Sequence, residues 1–231
     1  MSKRIIIFDL WKGTAVIGMI IFHFFLILNL FAVIQINLYS GFWLILVRFV
    51  QLSFLLLTGV NLVLVFQNYP DKKIRHQHQK HRYKILFCCC GLISLISFIL
   101  VPSAFIFFGI LHLILVSSIL ITPLVSNKKT LWLGLVFSLL ITIFLKVLGW
   151  QPTIMPSSID FFPLFPWINA VFFGALLGVY QKKIIPKKLM AINLDHNKKR
   201  QFLAWCGRNS LLIYLIHVPV LIILLGFLKI I

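Results

Sequence analysis

Seven apolar stretches constrain this chain more than any other feature, because each is long enough to cross a lipid bilayer as a helix. A bilayer core about 30 Å thick requires about 20 apolar residues of helix. The stretches run over residues 11–36, 41–67, 84–101, 104–125, 130–149, 163–181 and 207–228. They are continuously apolar and lack the alternation of a β-barrel strand. The sequence therefore predicts an all-α membrane protein, one transmembrane domain of about seven helices spanning residues 1–231.

The amino-acid composition excludes a soluble protein. Of the 231 residues, 61% are hydrophobic and only 11% are charged, and the mean hydropathy is +1.05. A soluble domain has about a quarter of its residues charged, and it could not bury this much apolar surface in one core. The same figures exclude a disordered chain and a secreted disulfide scaffold.

The charge distribution predicts the orientation of the chain in the membrane. Lys and Arg total 22 against 4 acidic residues, which gives a net charge of +18. The basic residues fall in alternate connections, whereas the connections near 37–41, 102–103 and 150–162 contain none. By the positive-inside rule the N-terminus is cytoplasmic and the C-terminus is outside, in a cell membrane. The excess charge thus indicates topology and attraction to anionic membrane lipid, and no nucleic acid is expected.

The segment between the second and third stretches, residues 71–84, is strongly basic and contains three histidines, His76, His78 and His81. Histidines at such spacing can bind metal. These lack neighbouring cysteine or clustered acidic ligands. The pattern therefore favours a solvated basic loop, and no metal is expected.

The first stretch carries its polar residues along one stripe. Asp9, Lys12, Val16, Met19 and His23 recur three or four residues apart, so they share a face on a helix. From Lys12 to His23 a helix rises about 16 Å. This predicts Lys12 at the cytoplasmic edge of the membrane and His23 near its midplane.

Three other stretches also carry ionisable residues at depth. By helical rise, Arg48 of the second lies about 10 Å inside, His112 of the fourth about 13 Å, and His217 of the seventh about 15 Å. Tyr214 shares the face of His217. Ionisable side chains in the hydrocarbon region are costly and commonly mark function. A packing role would explain any one histidine, but three histidines and an arginine at one depth predict a polar cavity.

Two span ends carry further candidate residues. The sixth stretch follows Asp160, and its proline-rich start ends at Trp167, which places a carboxylate and an indole at the outer face. The seventh stretch begins around Arg208, Asn209 and Ser210, where helix-start amides and a guanidinium could hold an anion. A plain helix cap with a positive-inside arginine explains the same residues, and the sequence does not decide between the two.

Five segments carry a family resemblance. They are Arg4–His23 (RIIIFDLWKGTAVIGMIIFH), Ser53–Gly59 (SFLLLTG), Phe108–His112 (FGILH), Asp160–Trp167 (DFFPLFPW) and Gly207–Pro219 (GRNSLLIYLIHVP). In their order and their places on the predicted spans, they resemble the catalytic-domain family of heparan-alpha-glucosaminide N-acetyltransferase, in its short prokaryotic form. The spacing from Lys12 to His23 also resembles the basic-x10-His pattern of the wider transmembrane acyltransferase superfamily.

The resemblance covers nearly the whole chain and implies a membrane enzyme. Such an enzyme takes an acetyl or other acyl group from cytoplasmic acyl-CoA and delivers it to a sugar or glycolipid acceptor at the outer face. Acetyl-CoA is then the expected donor substrate.

With that chemistry the polar residues take specific roles. The acceptor proton needs a base, and histidine suits this task because its ordinary pKa is about 6.5. We choose His23, which ends the stripe that begins at Lys12, and His217 is the second choice. Acyl-CoA is expected at the cytoplasmic mouth, near Lys12, Asp9, Arg208, Asn209, Ser210 and Tyr214. The remaining candidates are assigned to the developing oxyanion (His112, Arg48) and to the acceptor (Asp160, Trp167).

Several alternatives stay open from the sequence alone. Relatives usually have arginine where this chain has Lys12, and the lysosomal branch has a histidine between its first two spans, which residues 30–47 lack. An acyl-histidine intermediate and direct transfer in a ternary complex are both open, as is a homodimer. The competing functions are a transporter or lipid flippase with the histidines as a proton relay, and a non-catalytic scaffold.

Overall fold

The polypeptide folds into helices, as a computed structural model shows for residues 5–150, 158, 160–190 and 197–230, the part of the chain that it describes. In these residues the α-helices are α1 (Ile6–Leu30), α2 (Gly41–Asn68), α3 (Lys72–Leu100), α4 (Ile110–Ile121), α5 (Lys128–Val147), α6 (Leu164–Ile184), α7 (Lys187–Met190), α8 (Lys198–Arg208) and α9 (Ser210–Phe227). Short 3-10 turns, Pro102–Ala104 and Thr122–Leu124, lie on either side of α4. The described residues contain no strand, and the all-α prediction is confirmed.

Six of the described helices are long and apolar enough to cross a membrane, namely α1, α2, α3, α5, α6 and α9. The fourth predicted span, residues 104–125, holds a shorter helix: α4 has 12 residues and with its following turn reaches from Ile110 to Leu124. The residues just before α4 are equally apolar but not helical, because two serine side chains of α3 bond the backbone of Ile106. The chain is thus a multi-pass membrane protein with one apolar helix shorter than expected.

The first helix is shifted toward the N-terminus relative to its predicted range of 11–36. It ends at Leu30, and the chain turns at Ala32, which has a positive φ of 58°. The side chain of Asn29 then accepts the backbone N–H of Ile36 at 3.0 Å. The sequence has no proline or glycine at this end, and apolar residues continue past it. The apolar pattern alone therefore predicted a helix that ends too late.

The third helix begins well before its apolar part, and the prediction of a loop over 71–84 was wrong. Asp71 caps the helix by accepting the N–H of Ile74 at 2.9 Å. Arg75 donates to the carbonyl of Tyr69 at 3.0 Å and lies 4.3 Å from the ring centroid of Phe66. These contacts hold the polar start of α3 against the end of α2. Because this part of the helix is polar, it has no apolar periodicity from which a helix could be predicted.

The last predicted span, residues 207–228, is divided between two helices. α8 ends at Arg208, Asn209 follows with φ −98° and ψ 17°, and α9 begins at Ser210. The backbone and side-chain amides of Asn209 both donate to the carbonyl of Trp205, at 3.0 and 2.9 Å. The helix start, for which the sequence left an anion site and a plain cap equally open, is thus a one-residue break between consecutive helices.

The chain divides into two compact units. The terminal unit holds the described residues of Arg4–Phe54 and Ile185–Ile231, which form α1, the first half of α2, α7, α8 and α9. The central unit holds those of Leu55–Ile184, which form the rest of α2 and α3 to α6.

In the terminal unit, α1 and α8 are in backbone contact. A Cβ on Gly13 would lie 1.9 Å from the carbonyl oxygen of Leu203, and one on Gly207 would lie 2.0 Å from that of Asp9. Both distances are far below van der Waals contact, so only glycine fits at either position. This crossing places Arg208, at the end of α8, beside the first turns of α1.

Within this unit α1 also contacts α2 and α9. The indole N–H of Trp11 donates to the hydroxyl of Ser53 in α2 at 2.9 Å. The apolar contact with α9 is made by Ile27, Leu28, Leu221 and Leu225.

In the central unit, small residues bring α2 and α6 together. The sequence predicts this packing from one face of α6, formed by Ala170, Gly174 and Gly178. A Cβ on Gly174 would lie 1.9 Å from the carbonyl oxygen of Leu56, and one on Gly59 would lie 2.0 Å from that of Val171. Glycine on each helix therefore accommodates the backbone of the other, as predicted.

Candidate active site

Two histidines meet in the terminal unit, one from α1 and one from α9. The ring centroids of His23 and His217 are 4.6 Å apart, and the rings are nearly perpendicular at 86°. His217 is buried and His23 is half-buried. The structure thus brings together two of the four residues that were predicted to share one depth.

The hydrogen bonds of the pair determine which ring nitrogens carry protons. Nδ1 of His23 lies 2.9 Å from the carbonyl oxygen of Met19, and Nδ1 of His217 lies 2.8 Å from that of Tyr214. Because a carbonyl can only accept, Nδ1 is the donor in both rings, and Nε2 of each neutral ring is a bare lone pair. In the described part of the chain, Nε2 of His217 is buried and has no hydrogen-bond partner. A buried acceptor without a donor is costly, so this atom is suited to a donor from a bound molecule.

The stripe predicted on α1 forms one continuous helix face. Val16 and Met19, which separate Lys12 from His23, are buried with 0% and 2% exposure. Because α1 is helical over this whole stretch, Lys12 and His23 are separated by about 16 Å along its axis.

A polar cluster lies toward the start of α1, formed by Asp9, Lys12 and Arg208. Nε of Arg208 donates to Oδ2 of Asp9 at 3.1 Å, and the two side chains are 40% and 22% exposed. The sequence placed Asp9 among the residues near acyl-CoA, and the structure gives its carboxylate an arginine partner from α8. This polar cluster therefore joins α1 to α8 at the end of the stripe away from the histidines.

The other residues predicted to contact acyl-CoA lie at the start of α9. Ser210 is buried, and the side-chain amide of Asn209 donates a hydrogen bond to the carbonyl of Trp205. The ring centroid of Tyr214 is 5.9 Å from that of His217. Tyr214 thus belongs with the histidine pair rather than with the polar cluster.

Arg48 lies on α2 within the terminal unit. It is exposed, and its guanidinium donates to the side-chain oxygen of Gln51 at 3.0 Å. The two side chains share one face, as their spacing of three residues predicts.

His112 belongs to the central unit and is held differently from the histidine pair. The backbone N–H of Gly109 donates to its Nδ1 at 3.3 Å, so the proton of the neutral ring is on Nε2. Nε2 lies 3.2 Å from the hydroxyl of Ser94, which donates to the carbonyl of Ile106 at 2.7 Å. Both ring nitrogens of His112 therefore have hydrogen-bond partners within the protein. The Nε2–H group, which the sequence assigned to stabilise an oxyanion, contacts the hydroxyl of Ser94 instead.

Asp160 caps α4 in the central unit. Its Oδ2 accepts the backbone N–H of Ile110 at 3.2 Å, and a Cβ on Gly109 would lie only 2.5 Å from that oxygen. The N–H of Phe162 donates to the carbonyl of Phe108 at 2.9 Å. The two family segments that contain these residues thus lie side by side. At the end of the second segment, the ring centroids of Trp167 and Phe162 are 5.2 Å apart.

The carboxyl group of Asp160 makes a testable contribution to stability. Burial raises its pKa from 3.8 to about 6, and the hydrogen bond from Ile110 opposes part of this shift. Because the folded-state pKa lies above the unfolded one, the protonated form favours folding: this stabilisation is full below about pH 4 and is lost as pH rises through about 6. Asp160→Asn, which keeps an oxygen for Ile110, is expected to remove this dependence. Thermal unfolding at several pH values in this window tests it, and identical profiles for both proteins would contradict it.

The three histidines of residues 71–84 lie in the first turns of α3. The ring of His78 stacks on Tyr69 with centroids 4.8 Å apart. At their spacing the three side chains do not share one helix face. Among the described residues, no group of three or more His, Cys, Asp or Glu side chains is arranged to hold a metal ion.

Some residues that build these sites were not singled out from the sequence. Ser94 fixes the tautomer of His112, and Ser53 holds Trp11; isolated serines in apolar helices carry no signal of such roles. The sequence does contain a signal for the roles of Gly13 and Gly207, because small residues in membrane helices indicate close helix contacts. Each also stands next to a predicted site residue in sequence.

The described helices make this a multi-pass membrane protein in which histidines of two separate helices meet, and multi-pass acyltransferases fall in this class. The family described as heparan-alpha-glucosaminide N-acetyltransferase, catalytic, matches residues 4–219. The chain belongs to this family, and the family is one of membrane acetyltransferases. Comparisons with curated proteins and with solved structures give no match.

Proposed function

We propose that this protein transfers an acetyl or other acyl group from cytoplasmic acyl-CoA to a hydroxyl or amino group of a sugar or glycolipid at the outer face of a cell membrane. The observation that carries the proposal is the buried, unpartnered Nε2 of His217, whose ring contacts the ring of His23. Acyl transfer to a hydroxyl or amine requires a base at this kind of position, within reach of a proton but shielded from water.

The transfer is direct and needs no acyl-enzyme. The acceptor's oxygen or nitrogen attacks the thioester carbonyl while its proton moves to Nε2 of His217. The tetrahedral intermediate collapses with cleavage of the C–S bond, and the leaving thiolate takes the proton from the imidazolium. The products are the acylated acceptor and CoA thiol, and the histidine returns to its neutral form. His23, favoured as the base by its place on the stripe, is proposed to hold the ring of His217 in its orientation through their edge-to-face contact.

The polar cluster is the proposed site for the CoA phosphates. Arg208 uses Nε for Asp9, and an arginine has further donors on its two terminal nitrogens. Lys12 adds a second cation one turn along α1 from Asp9. The separation of about 16 Å between Lys12 and His23 is comparable with the length of an extended pantetheine arm. Phosphates at one end of the stripe would therefore place the thioester near the histidine pair.

Binding of acetyl-CoA tests this assignment without knowledge of the acceptor. Acetyl-CoA and CoA are expected to raise the melting temperature of the purified protein, since a ligand at 100 times its Kd stabilises by about 2.7 kcal/mol. Lys12→Ala and Arg208→Ala should each weaken binding and raise KM by about 10-fold or more, because a charge-assisted hydrogen bond contributes about 1.5–3 kcal/mol. Asp9→Asn should strengthen binding, because it removes a negative charge beside the phosphates.

A matched control for these variants is Lys128→Ala, at the exposed start of α5, which should leave CoA affinity unchanged. Unaltered affinity in the Lys12→Ala and Arg208→Ala double variant would place the CoA site elsewhere.

The remaining candidate residues are proposed for the acceptor and the oxyanion. Asp160 and Trp167 offer a carboxylate and an indole, groups suited to sugar hydroxyls and sugar ring faces. Arg48 supplies N–H donors for the oxyanion. His112, whose nitrogens are both engaged, is proposed to hold the segment before α4 in place.

A further inference from the structure

One face of α8 is not used by the proposed active site. Phe202 and Trp205 are 58% and 55% exposed, and their rings are stacked with centroids 6.3 Å apart and planes 18° apart. The opposite face is buried, with Ala204 at 0% exposure and Gly207 against the backbone of α1. The exposed set, named here the α8 surface, consists of Lys198, Lys199, Arg200, Phe202 and Trp205.

The positive charges of the α8 surface lie where they destabilise the helix. Lys198, Lys199 and Arg200 are all exposed and occupy the first turn of α8, which contains no acidic residue. The helix dipole disfavours positive charge in a first turn. Spacings of four and seven residues put Lys198 on the same face as Phe202 and Trp205. An anionic partner would offset the repulsion while the aromatic rings contact something apolar.

We propose that the α8 surface lies on the membrane surface and binds the headgroups of anionic phospholipids. α8 has 11 residues, too few to cross a bilayer. A single residue, Asn209, separates it from α9, an apolar helix of spanning length. Tryptophan is enriched at the membrane interface, and lysine and arginine beside it bind anionic lipid. A free phosphate would bond the cations but give the stacked rings no partner.

The buried side of α8 connects this lipid site to the rest of the terminal unit. It touches α1 at Gly13 and Asp9, and the helix itself ends at Arg208, whose side chain pairs with Asp9. Lipid bound to the α8 surface therefore holds the helix that presents Arg208, although the lipid site itself does not depend on the proposed function.

Quenching of Trp205 fluorescence by brominated phospholipid tests the proposal. The full chain is reconstituted in bilayers with brominated phosphatidylglycerol or, at the same mole fraction, brominated phosphatidylcholine. The chain has six tryptophans, so Trp205 is isolated as the difference between the wild type and Trp205→Phe. Quenching of this component is expected with both lipids and should be severalfold greater with phosphatidylglycerol.

Two double variants, each of which removes two positive charges, test which lysines cause the preference for phosphatidylglycerol. Lys198→Gln/Lys199→Gln should abolish the preference for phosphatidylglycerol while Trp205 stays quenched by phosphatidylcholine. Lys128→Gln/Lys129→Gln, at the exposed start of α5, should leave the preference intact. Equal quenching of wild-type Trp205 by the two lipids would overturn the proposal, as would no quenching by either, or a preference that survives the first variant.

Discussion

Replacement of His217 by alanine is expected to lower kcat by about 10²–10⁴-fold, the usual contribution of a general base, while the affinity for acyl-CoA stays nearly unchanged. The physical reason is the bare Nε2 of His217, which is buried without a partner and can accept the proton of the attacking acceptor. The polar cluster proposed to hold the CoA phosphates lies at the far end of the α1 stripe, so the substitution should not alter it. Steady-state kinetics combined with direct CoA binding separates the two effects.

The neighbouring ring provides an internal comparison. His23→Ala should also reduce kcat, but less than His217→Ala, because His23 is proposed to orient the ring of His217 rather than to accept the proton. His81→Ala, an exposed histidine on the polar start of α3, should leave turnover unchanged. A greater loss in His23→Ala than in His217→Ala would make His23 the base. Normal turnover in both variants would remove the histidine pair from the mechanism.

Alanine at the glycine contacts is expected to cause the largest losses of stability. At Gly13, Gly207 and Gly174 a Cβ would lie between 1.9 and 2.0 Å from a backbone carbonyl oxygen of another helix. Because a backbone atom cannot rotate away, each substitution must separate two helices, and overpacking of this kind costs about 1–3 kcal/mol or more. The melting temperature of the purified protein should fall for all three variants.

Two other glycines serve as matched controls. At Gly91 in α3 and Gly226 in α9, an added Cβ would meet no neighbouring atom within 4 Å. Alanine is favoured over glycine in a helix by about 1 kcal/mol, so Gly91→Ala and Gly226→Ala should be neutral or slightly stabilising. A fall in melting temperature of equal size in both groups would mean that helix contact is not the cause.

The fold was predictable where apolar pattern and helix coincide. The spans that became α2, α5 and α6 were placed within a few residues, since both ends of each stretch lie where the pattern stops. The pattern failed for α4, because the apolar residues before Ile110 are held in a non-helical segment by serines of α3. It failed at the start of α3 for the opposite reason, since Lys72 begins a polar helix capped by Asp71.

The candidate site was predictable within one helix but not between helices. The stripe from Lys12 to His23 follows from spacing alone, because neighbours three and four residues apart share a helix face. That His217 contacts His23, and that Arg208 pairs with Asp9, depends on how distant segments pack, and no local pattern encodes this. Ring tautomers were likewise inaccessible, because Gly109 and Ser94 assign the proton of His112 through contacts that appear only in the folded chain.

Release of CoA thiol from acetyl-CoA, stimulated by an added acceptor, tests the central claim most directly. The purified protein in bilayers is given acetyl-CoA and a panel of sugars, amino sugars and glycolipids, and CoA and acetylated product are measured together by mass spectrometry. We expect equal amounts of CoA and acetylated acceptor from the wild type with at least one acceptor, and their near-complete loss in His217→Ala. Absence of product with every acceptor and of any thermal response to acyl-CoA, together with proton-coupled flux into liposomes, would contradict the account and indicate a transporter.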